Sequence, residues 1–524
     1  MCMKTRLLAG VLVTFILAVP GFTYGQPKAL TAEAIDELVS RSMKAFDVPG
    51  IAVGVIKDGK VVHARGYGLR SLNSREKMDE NTLVGIASNS KAFTTTALGI
   101  LVDEGKINWD DKVRTYIPEF KLYDPYVTEE FTIRDLVTHR SGLGLGAGDL
   151  MFYPGSPDFT VKDIIHNLRF LRQASGYRSK YDYDNTLYIV AGEVIARVSG
   201  KSWEQYVEDS IIRPLGMEKT GASFDRLPDR GNVIDAHVPV NGKVQVVERH
   251  VSKVDNAAGG IYSNITDLNK WMQTLLSGGK YGGGRSLISE AVHKELWSPQ
   301  TIMPAGTPGL YKTLFVAYGL GFRLADVSGY KQVYHSGFLE GMKTQITMIP
   351  ELGLGIIVLT NQQESNAYVS ITNSIKDGYL GRAATDWVSS LSAERSKSIA
   401  DAEAVTKKVA KDIELAGRSA TIKFDIEPFK GIYTDPWFGQ VSVALKNGKL
   451  WFESKRSRRL AGELMPYKGN TLVVKWADRS LDADAFVVFS LDEEGRPAGF
   501  TMRAISPLTD FSYDFQDLNF RRSP

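Results

Sequence analysis

The β-rich runs of this chain fall into two groups, one on each side of a long helical stretch, and that split constrains the fold more than any other feature. The first group is "GIAVGVIKDGKVVHARGYG", residues 50–68, two runs joined by Asp58-Gly59, a strong hairpin signal. Before it, "TAEAIDELVSRSMKAF" (Thr31–Phe46) shows apolar residues at helical spacing behind a threonine cap. The middle of the chain has three-to-four spacing in "TIRDLVTH", "TVKDIIHNLRFL", "TLYIVAGEVIARVSG", "SWEQYVEDSIIRPLGM", "NITDLNKWMQTLLSGG" and "SEAVHKELW". Short turn-bounded β-runs then return in "YGLGFRLADV", "KQVYHSG", "MKTQITMIPELG" and "LGIIVLTNQ", and a helix, "NAYVSITNSIKDGYLG", follows. The pattern predicts an antiparallel sheet flanked by helices, with an all-helical lobe inserted beside it, an α+β architecture.

At 524 residues the chain has room for two or three domains, or one large and one small. Composition shifts near Ser389, where "SAERSKSIADAEAVTKKVAKDIELAG" is charged, alanine-rich and poor in aromatics. Beyond it come short alternating runs and a second hairpin signal, Asn447-Gly448, as expected for a small β-barrel or sandwich. The expected division is a signal segment at 1–25, a main domain at 26–385, a solvated helical linker at 386–421 and a β-barrel-like domain at 422–524. Trp437, Phe438, Trp451 and Trp476 read as barrel core rather than ligand contacts.

Lys4 and Arg6 precede an apolar run, Leu7–Val19, with small residues after it, the pattern of an export signal. The run is short for a membrane span, and none of spanning length follows, so no stable span is expected once the signal is removed. An uncleaved anchor is the alternative. A periplasmic or secreted location is expected. The sole cysteine, Cys2, lies before the apolar run, which removes thiol, disulfide and cysteine–metal chemistry from the rest of the chain. A net charge of +3, with no basic block longer than "KRSRR" (Lys455–Arg459), argues against nucleic acid as a partner.

Four serines satisfy S-x-x-K: Ser74, Ser88, Ser277 and Ser328. Only Ser88 opens a long apolar helix, expected over about Ser88–Glu104, where it and Lys91 share one face a turn apart. A serine there gains from the helix dipole and free N–H groups, and a neighbouring amine can take or stabilise its proton. The spacing alone fits a helix cap with a surface lysine just as well. "YDYDNTLYIVAGE" places Tyr183 and Asn185 just before a helix, and "YHSGFLEG" places His335-Ser336-Gly337 at the end of a strand.

With these three motifs in this order, the chain resembles the serine β-lactamase and penicillin-recognising superfamily, and most closely its class C-like esterases and peptidases. The resemblance covers roughly Ala29–Gly381, and "LVTHRSGL" and "AGGIYSNITDLNKWM" also look like that family. It implies an acyl-enzyme on Ser88, with Lys91 and Tyr183 handling protons and the primary base left open. Asn185 would hold Lys91 and the substrate amide, and the N–H groups of Ser88 and Phe338 would form an oxyanion hole. His335, Ser336, Gly337 and Phe338 would bind substrate, Gly337 by letting the strand backbone approach. His335 stands where β-lactamases usually have lysine, which weakens the case for anionic substrates and gives their binding a pH dependence. Tyr262-Ser263-Asn264 also fits Y-x-N; Tyr183 is preferred because it follows an aromatic loop and directly precedes the helix, as the second motif of the resembled family does, whereas Tyr262 follows Gly259-Gly260 in a segment that family uses as a sheet–lobe junction.

His139 reads as a structural residue near the cleft, and His63, His166, His237, His250 and His293 as scattered. No metal-binding spacing, nucleotide loop or G-x-S-x-G elbow is present, so no cofactor is expected. The leading reading is an exported serine hydrolase of small peptide, amide or ester substrates. A β-lactamase or DD-carboxypeptidase is the alternative within that class, and a non-catalytic ligand-binding protein on the same scaffold the alternative outside it. The barrel is left with three candidate roles: capping the cleft, binding ligand itself, or building an oligomer.

Overall fold

The computed structural model describes residues 29–155, 157–418 and 425–524; the expected signal segment, 1–25, lies outside the described residues. Helix α1 (Ala32–Phe46) starts where the Thr31 hydroxyl accepts from the Ala34 N–H. It leads into the hairpin of β1 (Gly50–Lys57) and β2 (Lys60–Gly68), turned by Asp58 and Gly59, both at positive φ as a two-residue primed turn requires. Helices α2 (Ser90–Asp103), α3 (Thr186–Ser199), α4 (Asn256–Gly259) and α5 (Ile265–Leu276) belong to the middle of the chain. The sheet resumes with β3 (Thr301–Met303), β4 (Val316–Tyr318), β5 (Arg323–Val327), β6 (Tyr330–Leu339), β7 (Met342–Ile349) and β8 (Leu354–Thr360). Two helices follow, α6 (Ser365–Tyr379) and α7 (Trp387–Arg418).

All eight strands form one antiparallel sheet in the order β2-β1-β8-β7-β6-β5-β4-β3. The early hairpin joins the late strands through β1 and β8, so the two β-groups do close around the helical insertion. These two strands are buried on both faces, which explains their unbroken apolar runs. Ile51, Val53 and Val55 pack with Ile35, Val39 and Ile371 of α1 and α6. Ala52 and Ile56 turn to the other face, where α5 lies so close to Gly54 that a Cβ there would be 2.9 Å from the Ile265 side chain. The lobe is helical but carries short two-stranded ribbons, among them Ala236–Val240 with Lys243–Val247. Their runs are too short for periodicity to reveal.

Eight strands, from Gly431–Asp435 to Asn519–Arg522, close into a barrel. Its interior is filled by Tyr433, Phe452, Trp476, Phe489, Phe500 and Phe520, with Phe500 and Phe520 ring centroids 4.5 Å apart. Trp437, Phe438 and Trp476 are buried as expected, whereas Trp451 is half-buried under Lys446. Helix α7 occupies the expected helical linker and is largely solvent-facing, with apolar contacts at both ends. Val388 and Leu391 at its start enter the core beside α6, and Val409 packs with Val473 and Ile505 of the barrel region.

The barrel is docked firmly onto the main domain. Arg456 lies over the Phe159 ring at 3.7 Å, and the Asn167 amide donates to the Trp437 carbonyl. Arg459 grips Glu340, in the β6–β7 turn, through two hydrogen bonds of 2.5 and 2.8 Å. The Glu340 side chain is only 2% exposed. Arg459→Ala strands that carboxylate in the interior and should cost about 3–5 kcal/mol, read as a lower urea midpoint; an unchanged midpoint would show that the bridge does not hold the barrel.

Candidate active site

Ser88 does not cap its helix. Ala87 takes a positive φ of 51°, and residues Ala87–Asn89 form a tight 3₁₀ turn before α2 begins at Ser90. No side-chain cap bond closes that turn. Asn89 instead donates to the Ile86 carbonyl and to Thr344 of β7, pinning the turn to the sheet. The Ile86 N–H donates to the Ile261 carbonyl and Ser90 accepts from the Ile261 N–H, fixing the other side. Ser88 thus projects, part-exposed, into a cleft of about 340 Å³ between sheet and lobe.

Helix α2 is buried almost all round, and Lys91 is buried with it. Its Nζ lies 3.2 Å from Ser88 Oγ, 2.7 Å from Asn185 Oδ1 and 2.8 Å from the Ala258 carbonyl of α4. Burial pushes the Lys91 amine down to about 7, against the opposing pull of Asp149 and Asp255. A surface lysine is therefore not what the spacing encodes. Asn185, at the start of α3, is oriented in turn by Asp149, whose Oδ2 accepts from its Nδ2 at 2.8 Å. Burial holds the Asp149 carboxyl well above the usual carboxylate range.

Tyr183 lines the same cleft as Ser88, with its ring 4.8 Å from the Lys91 ammonium. Burial raises its phenol far above the ordinary value, so no phenolate is populated near neutral pH. Of the two groups, Lys91 is the one whose charge changes near neutrality. Tyr262 pairs with Gly85 in a short ribbon and packs with Leu83 and Leu227, away from Ser88. The two candidate tyrosines are separated by placement alone.

His335, Ser336, Gly337 and Phe338 of β6 form the opposite wall. Gly337 passes close beside the Ser88 turn: a Cβ there would lie 2.3 Å from the Ile86 oxygen and 2.4 Å from Thr344 Oγ1. The room it leaves serves contact between strand and nucleophile turn as well as the cleft. His335 is buried, and its Nδ1 lies 2.6 Å from the Ser336 carbonyl, which can only accept. Nδ1 therefore carries the proton and Nε2 accepts from the Tyr318 hydroxyl at 3.1 Å. Burial, with help from Arg323 and Lys91, drives this imidazole well below its ordinary range. The expected histidine titration is overturned by that desolvation; His335 stays neutral across physiological pH.

Several site residues escaped the sequence reading. Arg323 of β5 lines the cleft, donates to the Tyr181 hydroxyl, and has no carboxylate partner among the described residues; its Nε is buried without a hydrogen bond. His250, dismissed as scattered, lines the cleft and bonds Asp255 at 3.1 Å. His139, read as structural, accepts from the Asp184 N–H and lies against Tyr183 with ring centroids 4.2 Å apart and planes tilted by 35°. No spacing signal in the chain marks Arg323 or Asp149.

The family model described as "Beta-lactamase" matches residues 35–376, and one described as "Domain of unknown function (DUF3471)" matches 423–522. Unguisins hydrolase ungD' of Aspergillus campestris is 29% identical over 345 residues, 63% of this chain and 62% of that protein. Protein flp of Staphylococcus aureus is 27% identical over 333 residues, 63% of each chain. The chain thus spans about three fifths of the length of these curated relatives. The octameric penicillin-binding protein homologue from Pyrococcus abyssi shares the fold at a TM-score of 0.61, with 21% identity, over 94% of this chain and 100% of that one. The penicillin-binding protein from Bacillus halodurans does so at 0.54 with 21% identity, over 64% of this chain and 98% of that one.

The packing at Gly337 yields a direct test. Gly337→Ala should lower stability by about 1–3 kcal/mol through overpacking, whereas Gly309→Ala, which meets nothing within 4 Å, should stay within about 0.5 kcal/mol of the parent. Equal urea midpoints for the two variants would mean that β6 does not press on the Ser88 turn.

Proposed function

The chain belongs to the β-lactamase family, and from that premise we propose that it is an exported serine hydrolase cleaving amide or ester bonds through an acyl-enzyme on Ser88. The observation that carries this reading is the Ser88–Lys91 contact: a reachable hydroxyl held 3.2 Å from a buried amine that titrates near neutrality. As the substrate carbonyl enters, Ser88 Oγ attacks it and its proton passes to neutral Lys91. The backbone N–H groups of Ser88 and Phe338 receive the developing oxyanion. The C–N or C–O bond then breaks. Tyr183 gives its hydroxyl proton to the departing nitrogen or oxygen and recovers one from Lys91. Water attacks the acyl-enzyme by the same route in reverse, restoring Ser88.

Asn185 keeps Lys91 in register and offers an amide to the substrate backbone. His335, neutral, orders Tyr318 and the strand rather than binding charge. Arg323 supports a second reading, in which the substrate bears a carboxylate, as β-lactams and peptidoglycan stem peptides do. Its unpaired guanidinium supplies the cation that His335 does not.

Two measurements test the proposal. Intact mass after treatment with a fluorophosphonate should show one adduct that Ser88→Ala abolishes, and a parallel penicillin incubation sorts the two substrate readings; folded protein without an adduct would leave a ligand-binding role. Because the neutral form of Lys91 accepts the proton and its share grows with pH, kcat/KM should climb through about pH 7 and fall about tenfold per unit below it. A profile flat between about pH 5 and 8 would remove Lys91 from the role of base.

A further inference from the structure

We infer that the C-terminal barrel supplies a fixed wall of the active site that limits the size of the departing group, with Phe511 as the specificity-determining residue. Asp510, Phe511 and Ser512 line the same cleft as Ser88 and Tyr183. The Phe511 ring stands edge-on to the Tyr183 ring, with centroids 5.7 Å apart and planes at 80°. The inference rests on the acyl-enzyme reading, in which Tyr183 protonates the departing atom. That atom must lie against the Tyr183 hydroxyl, so the rest of the departing fragment passes over the face that Phe511 narrows.

The wall cannot swing aside cheaply, because the residues that directly follow Phe511 are pinned to the main domain. The Asp514 carboxylate accepts from the Gly148 N–H at 2.6 Å and the Leu150 N–H at 3.2 Å. Tyr513 packs edge-on to Tyr153 at 5.0 Å. The main domain is shaped to receive it. In "GLGLGAG" (142–148) the glycines at 142, 144, 146 and 148 all take positive φ, and a Cβ at Gly146 would lie 2.7 Å from the Phe511 carbonyl oxygen. The Phe511 ring itself is 37% exposed beside Leu145, so it rims the cleft rather than filling a core. A cleft of about 340 Å³ closed on this side suits a small departing unit, as in removal of a terminal residue or a short alcohol, and excludes the interior of a polymer.

The test uses the full chain and a series of esters that share one acyl group and differ in the bulk of the alcohol, from methyl to naphthyl. Phe511→Ala should raise the bulky-to-small ratio of kcat/KM by about tenfold relative to the parent, and Phe511→Trp should lower it. Deacylation of the common acyl-enzyme, measured after the alcohol has left, should stay unchanged in both variants. A ratio that does not move, moves the same way in both variants, or shifts together with deacylation would overturn the size wall, the last because Phe511 would then act through Tyr183. Fluorophosphonate labelling of Ser88 in the same samples separates the two levels. Labelled protein with an unmoved ratio removes only the wall, while unlabelled, inactive protein removes the acyl-enzyme reading and the wall with it.

Discussion

An amine with no contact to water must find its partners inside the protein, and the arrangement of this molecule follows from where Lys91 finds them. Its three hydrogen bonds reach the Ser88 turn, the first residue before α3 and the carbonyl end of α4, three segments far apart in the chain. An ammonium has three donors, and all three are used. Removing any acceptor would leave a buried charge underbonded, so the packing of lobe on sheet and the protonation of the amine are one constraint. Desolvation lowers the Lys91 pKa and the Asp149 and Asp255 carboxyls restrain that fall, which leaves both protonation states accessible near neutrality.

The same chain of contacts runs outward. Lys91 is held by Asn185 and Asn185 by Asp149, and Asp514 of the C-terminal barrel accepts from the Gly148 and Leu150 N–H groups on either side of Asp149. On the far wall, Arg459 of the barrel clamps the turn that ends β6, the strand bearing His335–Phe338. A barrel whose interior is packed with aromatic rings has little space for a ligand of its own. Its contribution is made from outside, at the two places where the cleft is built from long-range contacts. A simple appendage would touch one surface patch; here the contacts straddle the cleft.

The three motifs were legible because each encodes a local geometry: a serine and lysine one turn apart, a tyrosine and asparagine at a helix start, a glycine where a strand must pass closely. The antiparallel sheet was legible because its runs keep strand length and sit between turn residues. What could not be read depends on distance along the chain. Asp514 and the Gly148 N–H are 366 residues apart, and nothing in "SYDF" announces that its carboxylate will anchor a loop of the other domain. Asp149 and Arg323 sit in apolar or glycine-rich surroundings where a lone charge has no spacing to betray it. Tyr183 and Tyr262 were separable only by neighbours, since both satisfy the same three-residue pattern. The His335 titration failed for a related reason: a reference pKa belongs to a solvated ring, and burial is a property of the fold.

The neutral histidine and the unpaired arginine together divide the labour of charge in this cleft. Where one cationic side chain on the wall strand serves both to hold an anion and to set the field around the nucleophile, binding and reactivity titrate together. Here the permanent cation, Arg323, lies on the neighbouring strand β5, and its pKa keeps it charged at every pH the protein meets. The titrating group, Lys91, lies beside Ser88, its Nζ 3.2 Å from the serine hydroxyl. The fixed charge of the cleft and its titrating charge are thus carried by two different side chains. His335, held as a single tautomer between the Ser336 carbonyl and the Tyr318 hydroxyl, keeps the space between them free of a third charge. A proton on that ring would reverse the bond to the Tyr318 hydroxyl and would face both Arg323 and Lys91. The neutral histidine follows first from its burial, and Arg323 and Lys91 reinforce it.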